Sequence, residues 1–204
     1  MTSPYILLIT GPSASGKSTL AKNLGNYIAG KGRSQVVFAL DNYYRDLSHL
    51  SEGQRAQYNF DRPEAWEYER ILRDVRMLKN GQPVEMPIYD FHTHMRSSKK
   101  QWLHPSDYMI FEGLFALCYE ELRALANLKV YVDLEDSIAL QRRIQRDTAE
   151  RGRTRDSVIE QFRSTVQPAN EAYIHPSKST ADVIILGKTS QETQLGAILK
   201  HLEI

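Results

Sequence analysis

The run Gly11-Pro12-Ser13-Ala14-Ser15-Gly16-Lys17-Ser18-Thr19 constrains this chain more than any other stretch. It satisfies G-x-x-x-x-G-K-[ST] at every fixed position. Ahead of it lies the apolar run Tyr5–Ile9, short enough for a buried strand and too short for a membrane span. Behind it, Leu20, Ala21, Leu24, Tyr27 and Ile28 recur at helical spacing. Gly11 and Gly16 permit backbone angles and close approaches that a β-carbon would obstruct. Consecutive amides then face a phosphate, and the helix N-terminus adds positive potential. Lys17 can reach the β- and γ-phosphates, and the Ser18 hydroxyl can ligate Mg²⁺. Gly11, Ser13, Ala14, Ser15, Gly16, Lys17, Ser18 and Thr19 are therefore the candidate cradle for a nucleoside triphosphate. A small-residue turn matching by accident would lack the strand before and the helix after.

At 204 residues the chain is expected to form a single domain, residues 1–204, with a small insertion. A chain of this size buries about 70% of its unfolded surface and needs no metal or disulfide staple. The single cysteine, Cys118, excludes an internal disulfide and fits a reducing, cytoplasmic setting. No basic region precedes the first apolar run, so a strand is expected there, not a signal peptide. The formal charge of +1 argues against global attraction to nucleic acid, so anion recognition must be local.

Further apolar runs at 36–40, 107–111, 128–134 and 182–186 predict four more buried strands. Helices are predicted over 64–79, 114–125, 135–150, 154–165 and 190–202. Residues 42–59 read as a long functional loop with a helical turn. Residues 83–102, with scattered Pro, read as a small β insertion. The alternation of strands and helices indicates an α/β fold: a P-loop NTPase fold with a five-stranded, mainly parallel sheet flanked by helices, plus the β insertion and a helical lid. In such sheets ligands gather at the strand C-terminal ends, where Gly11, Asp41 and Glu112 fall.

A switch GTPase would need D-x-x-G and [NT]-K-x-D, and the sequence contains neither. Phosphoryl transfer to a small acceptor instead needs acids for the metal, a base at the acceptor hydroxyl, and cations for the moving charge. Asp41 and Glu112 are acids at strand ends; alone, each would read as a cap or a surface acid, but two beside a phosphate loop do not. Arg142, Arg143, Arg146, Arg151, Arg153 and Arg155 crowd the region 135–165. Arg142 and Arg155 are read as a solvated helix face balanced by Asp147, Glu150 and Asp156. The others, with a break at Gly152, suggest a hinged lid over the phosphates. No aromatic residues interleave this cluster, which disfavours nucleic acid. His92 and His94 invite a zinc reading, but nothing nearby completes a ligand set.

The ordered motifs GPSASGKST (11–19), LDNYY (40–44), YNFDRPEAW (58–66), PIYDFHTHMR (87–96), IFEGL (110–114), RRIQRDTAERGR (142–153) and QFRSTVQPANEAYIHPSK (161–178) resemble the uridine/cytidine kinase family of P-loop nucleoside kinases along nearly the whole chain. The resemblance implies that Asp41 takes the proton of a ribose 5′-hydroxyl and that Ser18, Asp41 and Glu112 surround Mg²⁺. It places Tyr44, Asp61 and Gln161 around the nucleoside, and Arg143 and Arg146 at the sugar and the transferred phosphate. Arg151 and Arg153 become lid arginines on ATP, and Tyr89, Phe91 and His94 the pyrimidine pocket. Lys17, Asp41, Arg146 and Arg151 are the implied catalytic set. ATP or GTP as donor, uridine and cytidine as acceptors, and a homotetramer are also implied.

A neutral imidazole can donate or accept by tautomer, so His94 suits both uracil O4 and cytosine N4. Strand parity puts Tyr89 and Phe91 on one face and His94 on the other, so the strand must turn or end between them. Two positions depart from the family pattern: Arg62 replaces a common His, and Gly187-Lys188 replaces a Pro-Arg-Gly-like run. Neither is expected to touch a predicted chemical group. Kinases for phosphoribulose, pantothenate or nicotinamide riboside share the phosphate loop but not YDFHTH. A silent nucleotide-binding regulator would not need Lys17, Asp41 and Glu112 together.

Overall fold

The computed structural model describes residues 3–202. Strands β1 (Tyr5–Thr10), β2 (Gln35–Ala39), β5 (Tyr108–Glu112), β6 (Leu128–Asp133) and β7 (Val183–Leu186) form one sheet in the order β2-β5-β1-β6-β7. Every pairing in it is parallel. The sheet is covered on both faces, so its strands are apolar at consecutive positions instead of alternating with polar ones. In central β1, Ile6 and Leu8 join the core on one face, with Phe38, Phe111, Trp66 and Tyr131. Leu7 and Ile9 join the other, under α1 (Lys17–Gly30) and the closing helix Gln191–Leu199.

The register decides where the chemistry falls. Ile9 of β1 and Ala39 of β2 both pair with Glu112 of β5. The phosphate loop, Asp41 and Glu112 therefore emerge side by side at the C-terminal edge, as the strand–helix alternation predicts.

The insertion is a two-stranded antiparallel hairpin of β3 (Val84–Asp90) and β4 (Met95–Leu103), with a register shift between Pro87 and Tyr89. Proline has no N–H to give the ladder, which accounts for the irregularity at that point. The loop 42–59 carries one short helix, α2 (Glu52–Ala56), opened by a Ser51–Gln54 capping box.

Three helix predictions need correction. The helix expected from Glu64 begins at Tyr68, as α3 (Tyr68–Lys79). Pro63–Ala65 forms a 3₁₀ turn and Trp66 is extended, bridged to Tyr44, with its ring fully buried. Burying that ring outweighs local helical propensity. Of 114–125, only α4 (Glu120–Arg123) is α-helical, because Leu114–Leu117 are buried together and offer no amphipathic stripe.

After α5 (Asp136–Glu150), the segment expected to end at Thr165 runs on. It continues from α6 (Arg155–Gln161) through π-helical turns at Phe162–Val166 and Asn170–Ile174 to the 3₁₀ turn Lys178–Thr180. Pro168 and Pro176 each follow one of these wide turns, which make room for rings that would crowd the preceding turn of an α-helix. Among the described residues no helix is long and apolar enough to cross a membrane.

Candidate active site

Gly11 has φ +151°, and a β-carbon there would lie 2.3 Å from the Val132 carbonyl oxygen. Gly16 has φ +98° with open space around it, so only its backbone conformation demands glycine. Helix α1 starts with no side-chain cap and no acidic residue in its first turn. Its orphan amides and dipole are thus left for an anion. Lys17 is buried beside them, and the buried Ser15 Oγ has no partner among the described residues.

Arg142 corrects the solvated-face reading. Its guanidinium donates to the carbonyls of Ala14 (3.4 Å) and Gly187 (3.1 Å). Ala14 itself sits at φ 66°, an uncommon value for a residue with a side chain. Gly187 also touches the loop: a β-carbon there would stand 2.6 Å from the Ser15 carbonyl oxygen. The departure from the family pattern at Gly187 therefore bears directly on the phosphate loop. Gly187→Ala is expected to push on that loop and raise KM for ATP by about tenfold, the scale of local backbone strain. Steady-state kinetics at varied ATP check it; an unchanged KM would show that the loop yields freely. Arg155 is exposed, as expected.

Asp41 sits in a 3₁₀ turn, Leu40–Tyr43, directly after β2, and its Oδ1 accepts from the Leu114 N–H at 3.1 Å. Glu112, the last residue of β5, is buried. Burial pushes its carboxyl up to about 7, with the Asp41 charge adding to the rise and Lys17 and a Ser18 hydrogen bond opposing it. Its Oε2 has no hydrogen-bond partner among the described residues. Among the described residues no group of three or more His, Cys, Asp or Glu able to hold a metal exists, at this site, at His92 and His94 or elsewhere.

The conflict of strand parity at His94 resolves as a turn. Strand β3 ends at Asp90, whose carboxylate accepts from His92 N–H (2.8 Å) and Thr93 Oγ1 (2.9 Å). His94 then adopts φ 54° and stacks on Phe60 at 4.7 Å. Tyr44 meets Phe60, Tyr89 and Phe91 at 5.3–6.4 Å between ring centroids. Phe60 was not singled out by sequence, although an aromatic inside NFDRP was the available signal. Burial and the charges of Arg151, Arg153 and Arg55 keep the His94 pKa below the usual imidazole value. Tyr89 Oη is buried without a partner among the described residues. Asn42 ties this pocket to the catalytic turn: it donates to the Ala39 carbonyl (3.2 Å) and accepts from the Tyr89 N–H (2.9 Å).

The arginines close the remaining wall. Gln161 Oε1 accepts from Arg143 at 3.1 Å and also from Arg153. The Arg151 guanidinium lies 4.9 Å from the Phe91 centroid, over the ring. Asp61 is buried and accepts from Thr165 Oγ1 at 2.7 Å. Burial raises its pKa against the opposing charge of Arg143. Gly152 takes φ 63°, which gives the predicted break between α5 and α6. Asp147, expected to balance a solvated helix face, is instead fully buried.

A single cavity of about 1120 Å³ joins these parts. Ser13, Lys17 and Ser18 line it with Asp41 and Glu112; Tyr44, Asp61, Tyr89, Phe91 and His94 line it with Arg143, Arg146, Arg151, Arg153 and Gln161. Gly11, Ala14, Ser15, Gly16 and Thr19 do not line it; they form or flank the loop behind.

The profile of the Phosphoribulokinase / Uridine kinase family matches residues 6–194. The chain belongs to the phosphoribulokinase/uridine kinase family. It is 40% identical over 185 residues to a Staphylococcus epidermidis protein named uridine kinase, covering 91% of this chain and 88% of that one. A Staphylococcus aureus uridine kinase matches with the same identity and coverage. By structure, this kinase is similar to a Bacillus stearothermophilus chain described as "a Possible Uridine Kinase", with TM-score 0.65, 24% identity, and 91% and 90% of the two chains covered. It is also similar to a D-glycerate 3-kinase of Cryptococcus neoformans, with TM-score 0.66, 19% identity, and 93% and 88% covered. These two likenesses concern the fold. Kinases of this family move a phosphoryl group from a nucleoside triphosphate to a small molecule.

Proposed function

We propose that this kinase transfers the γ-phosphoryl group of ATP to the 5′-hydroxyl of uridine and cytidine, giving UMP and CMP. The observation that carries the reading is the continuity of one cavity from Lys17 and Ser18, past Asp41, to the aromatic walls and His94. The names of the curated relatives support it.

The phosphate loop, Lys17 and the α1 N-terminus hold the triphosphate. Asp41, fixed by the Leu114 N–H, orients the 5′-hydroxyl and takes its proton as the bond to phosphorus forms. Arg146 and Arg151 face the transferred group and offset its spreading charge, with Arg153 on the donor side. Arg143, Asp61, Gln161 and Tyr44 hold the sugar, and Tyr89, Phe91 and His94 the base. Ser18, Asp41 and Glu112 fit a magnesium ion, since a buried carboxylate with an unpartnered oxygen suits a hard cation that takes its other ligands from phosphates and water. When bound, that ion supplies charge neutralisation at the β- and γ-phosphates. A homotetramer in a reducing cytoplasm completes the reading.

Purified protein with ATP and Mg²⁺, challenged with a nucleoside panel, pantothenate and ribulose 5-phosphate, tests it. ADP release with none of the nucleosides would sink the proposal. His94→Asp offers only acceptors, and its left-handed backbone suits Asp. The kcat/KM ratio is expected to move about tenfold or more toward cytidine, whose 4-amino group donates. A fixed ratio would remove His94 from base recognition.

A further inference from the structure

Asp147 lies behind the cavity wall and does not line it, whereas Arg143, Arg146, Arg151 and Arg153 all do. Its side chain is fully buried. Arg146 Nε donates to its Oδ1 at 2.8 Å, Arg151 Nε stands 3.6 Å from the same oxygen, and Arg143 Nη2 stands 3.8 Å from Oδ2. Residues 143, 147 and 151 are four apart, so on one helix face they stack one above another. The Asp147 carbonyl also accepts the N–H of Arg151 (3.2 Å) and of Arg153 (3.1 Å), which starts the Gly152 turn. Among the described residues no other carboxylate is within ion-pair distance of Arg146 or Arg151. Three like charges within little more than two helical turns would otherwise repel one another.

We propose that Asp147 is a positioning residue, the buried counter-charge that sets Arg143, Arg146 and Arg151 toward the cavity before any nucleotide arrives. A site whose charges are already aimed loses no reorganisation at the moment of transfer, and such aim requires a supporting shell behind the contacting groups. The proposal rests on the reading that these arginines serve phosphoryl transfer, whichever acceptor is used.

The test is a double-mutant cycle of Asp147→Asn with Arg146→Ala, run with whatever acceptor the wild type turns over. Asp147→Asn alone is expected to lower kcat by about 10–100-fold, with a smaller change in acceptor KM, because Gln161 still holds Arg143 at 3.1 Å. In the Arg146→Ala background that loss should shrink by about threefold or more, because one of the three groups through which Asp147 acts is gone. A loss of full size in both backgrounds, or an unchanged kcat, overturns the proposal. A merely structural role would lower Tm and add independently.

Should Asp147→Asn fail to fold, the wild type still decides. The Arg146 Nε–H signal in nitrogen-15 NMR is expected to be protected from solvent exchange without nucleotide. Rapid exchange there overturns the proposal. If uridine and cytidine prove to be the wrong acceptors, the panel shows it while the cycle and the NMR signal stand.

Discussion

Asp41→Asn is expected to lower turnover by about 10²–10⁴-fold, the usual loss when a general base is removed, while ATP binding survives. The substitution is clean here. The Leu114 N–H that fixes Asp41 Oδ1 finds the same oxygen in asparagine, so the turn Leu40–Tyr43 keeps its shape. What disappears is the capacity to accept the proton of the hydroxyl. Coupled ADP release gives kcat and calorimetry gives ATP affinity. Normal turnover in the variant would mean that Asp41 is not the base.

Glu112→Gln separates stability from activity with a sign that depends on pH. In the folded, nucleotide-free protein the Glu112 carboxyl titrates near 7, against an ordinary 4.5. The folded state therefore binds the proton more tightly than the unfolded state does. Stability from the neutral carboxyl is fully present below about pH 4.5 and is lost as pH rises through about 7; the gap corresponds to about 3 kcal/mol at most.

Glutamine keeps the neutral form at every pH. Tm of the nucleotide-free variant should exceed wild type by about 5 °C at pH 8 and converge with it below about pH 4.5. Turnover should fall by about 10²-fold or more through loss of a charged group at the phosphates. Added Mg²⁺ should stabilise the wild type more at pH 8 than at pH 6. Thermal melts from pH 4 to 8, with and without Mg²⁺, check the first and third and steady-state kinetics the second; a variant less stable than wild type at pH 8 would reverse the argument.

The residues that the structure gathers into one cavity are legible in sequence wherever their signal is local. The phosphate loop is contiguous, and Asp41 and Glu112 each terminate a recognisable apolar run. The pocket residues Tyr89, Phe91 and His94 fall within one motif. Groups whose meaning depends on distant neighbours were misread. Arg142 was assigned to solvent because its acceptors, Ala14 and Gly187, lie far away in the chain. Asp147 was assigned to a charged surface because helical spacing shows which arginines are near it, but not that the whole group is turned inward. Trp66 broke a predicted helix because its burial against Gly113, where a β-carbon would stand 2.8 Å from the ring, cannot be seen from its neighbours in sequence. The π-helical turns before Pro168 and Pro176 were invisible for a related reason: proline signals trouble for an α-helix, but not how the backbone absorbs it.

The parallel register has a consequence for how the protein is made. Strand β1 and the phosphate loop are synthesised before β5 and β6, yet among the described residues β1 pairs with those two strands alone, and Thr10 Oγ1 is held by carbonyls at Gly113 and Leu114, more than a hundred residues later. A chain emerging from the ribosome thus carries its nucleotide motif long before it has a nucleotide site. Loop-closure entropy delays such distant pairings. The fragment that ends before β5 has an apolar strand with no neighbours, and is the species most exposed to aggregation. ATP can help only the late steps, since the cradle it would stabilise is completed by the second half of the chain.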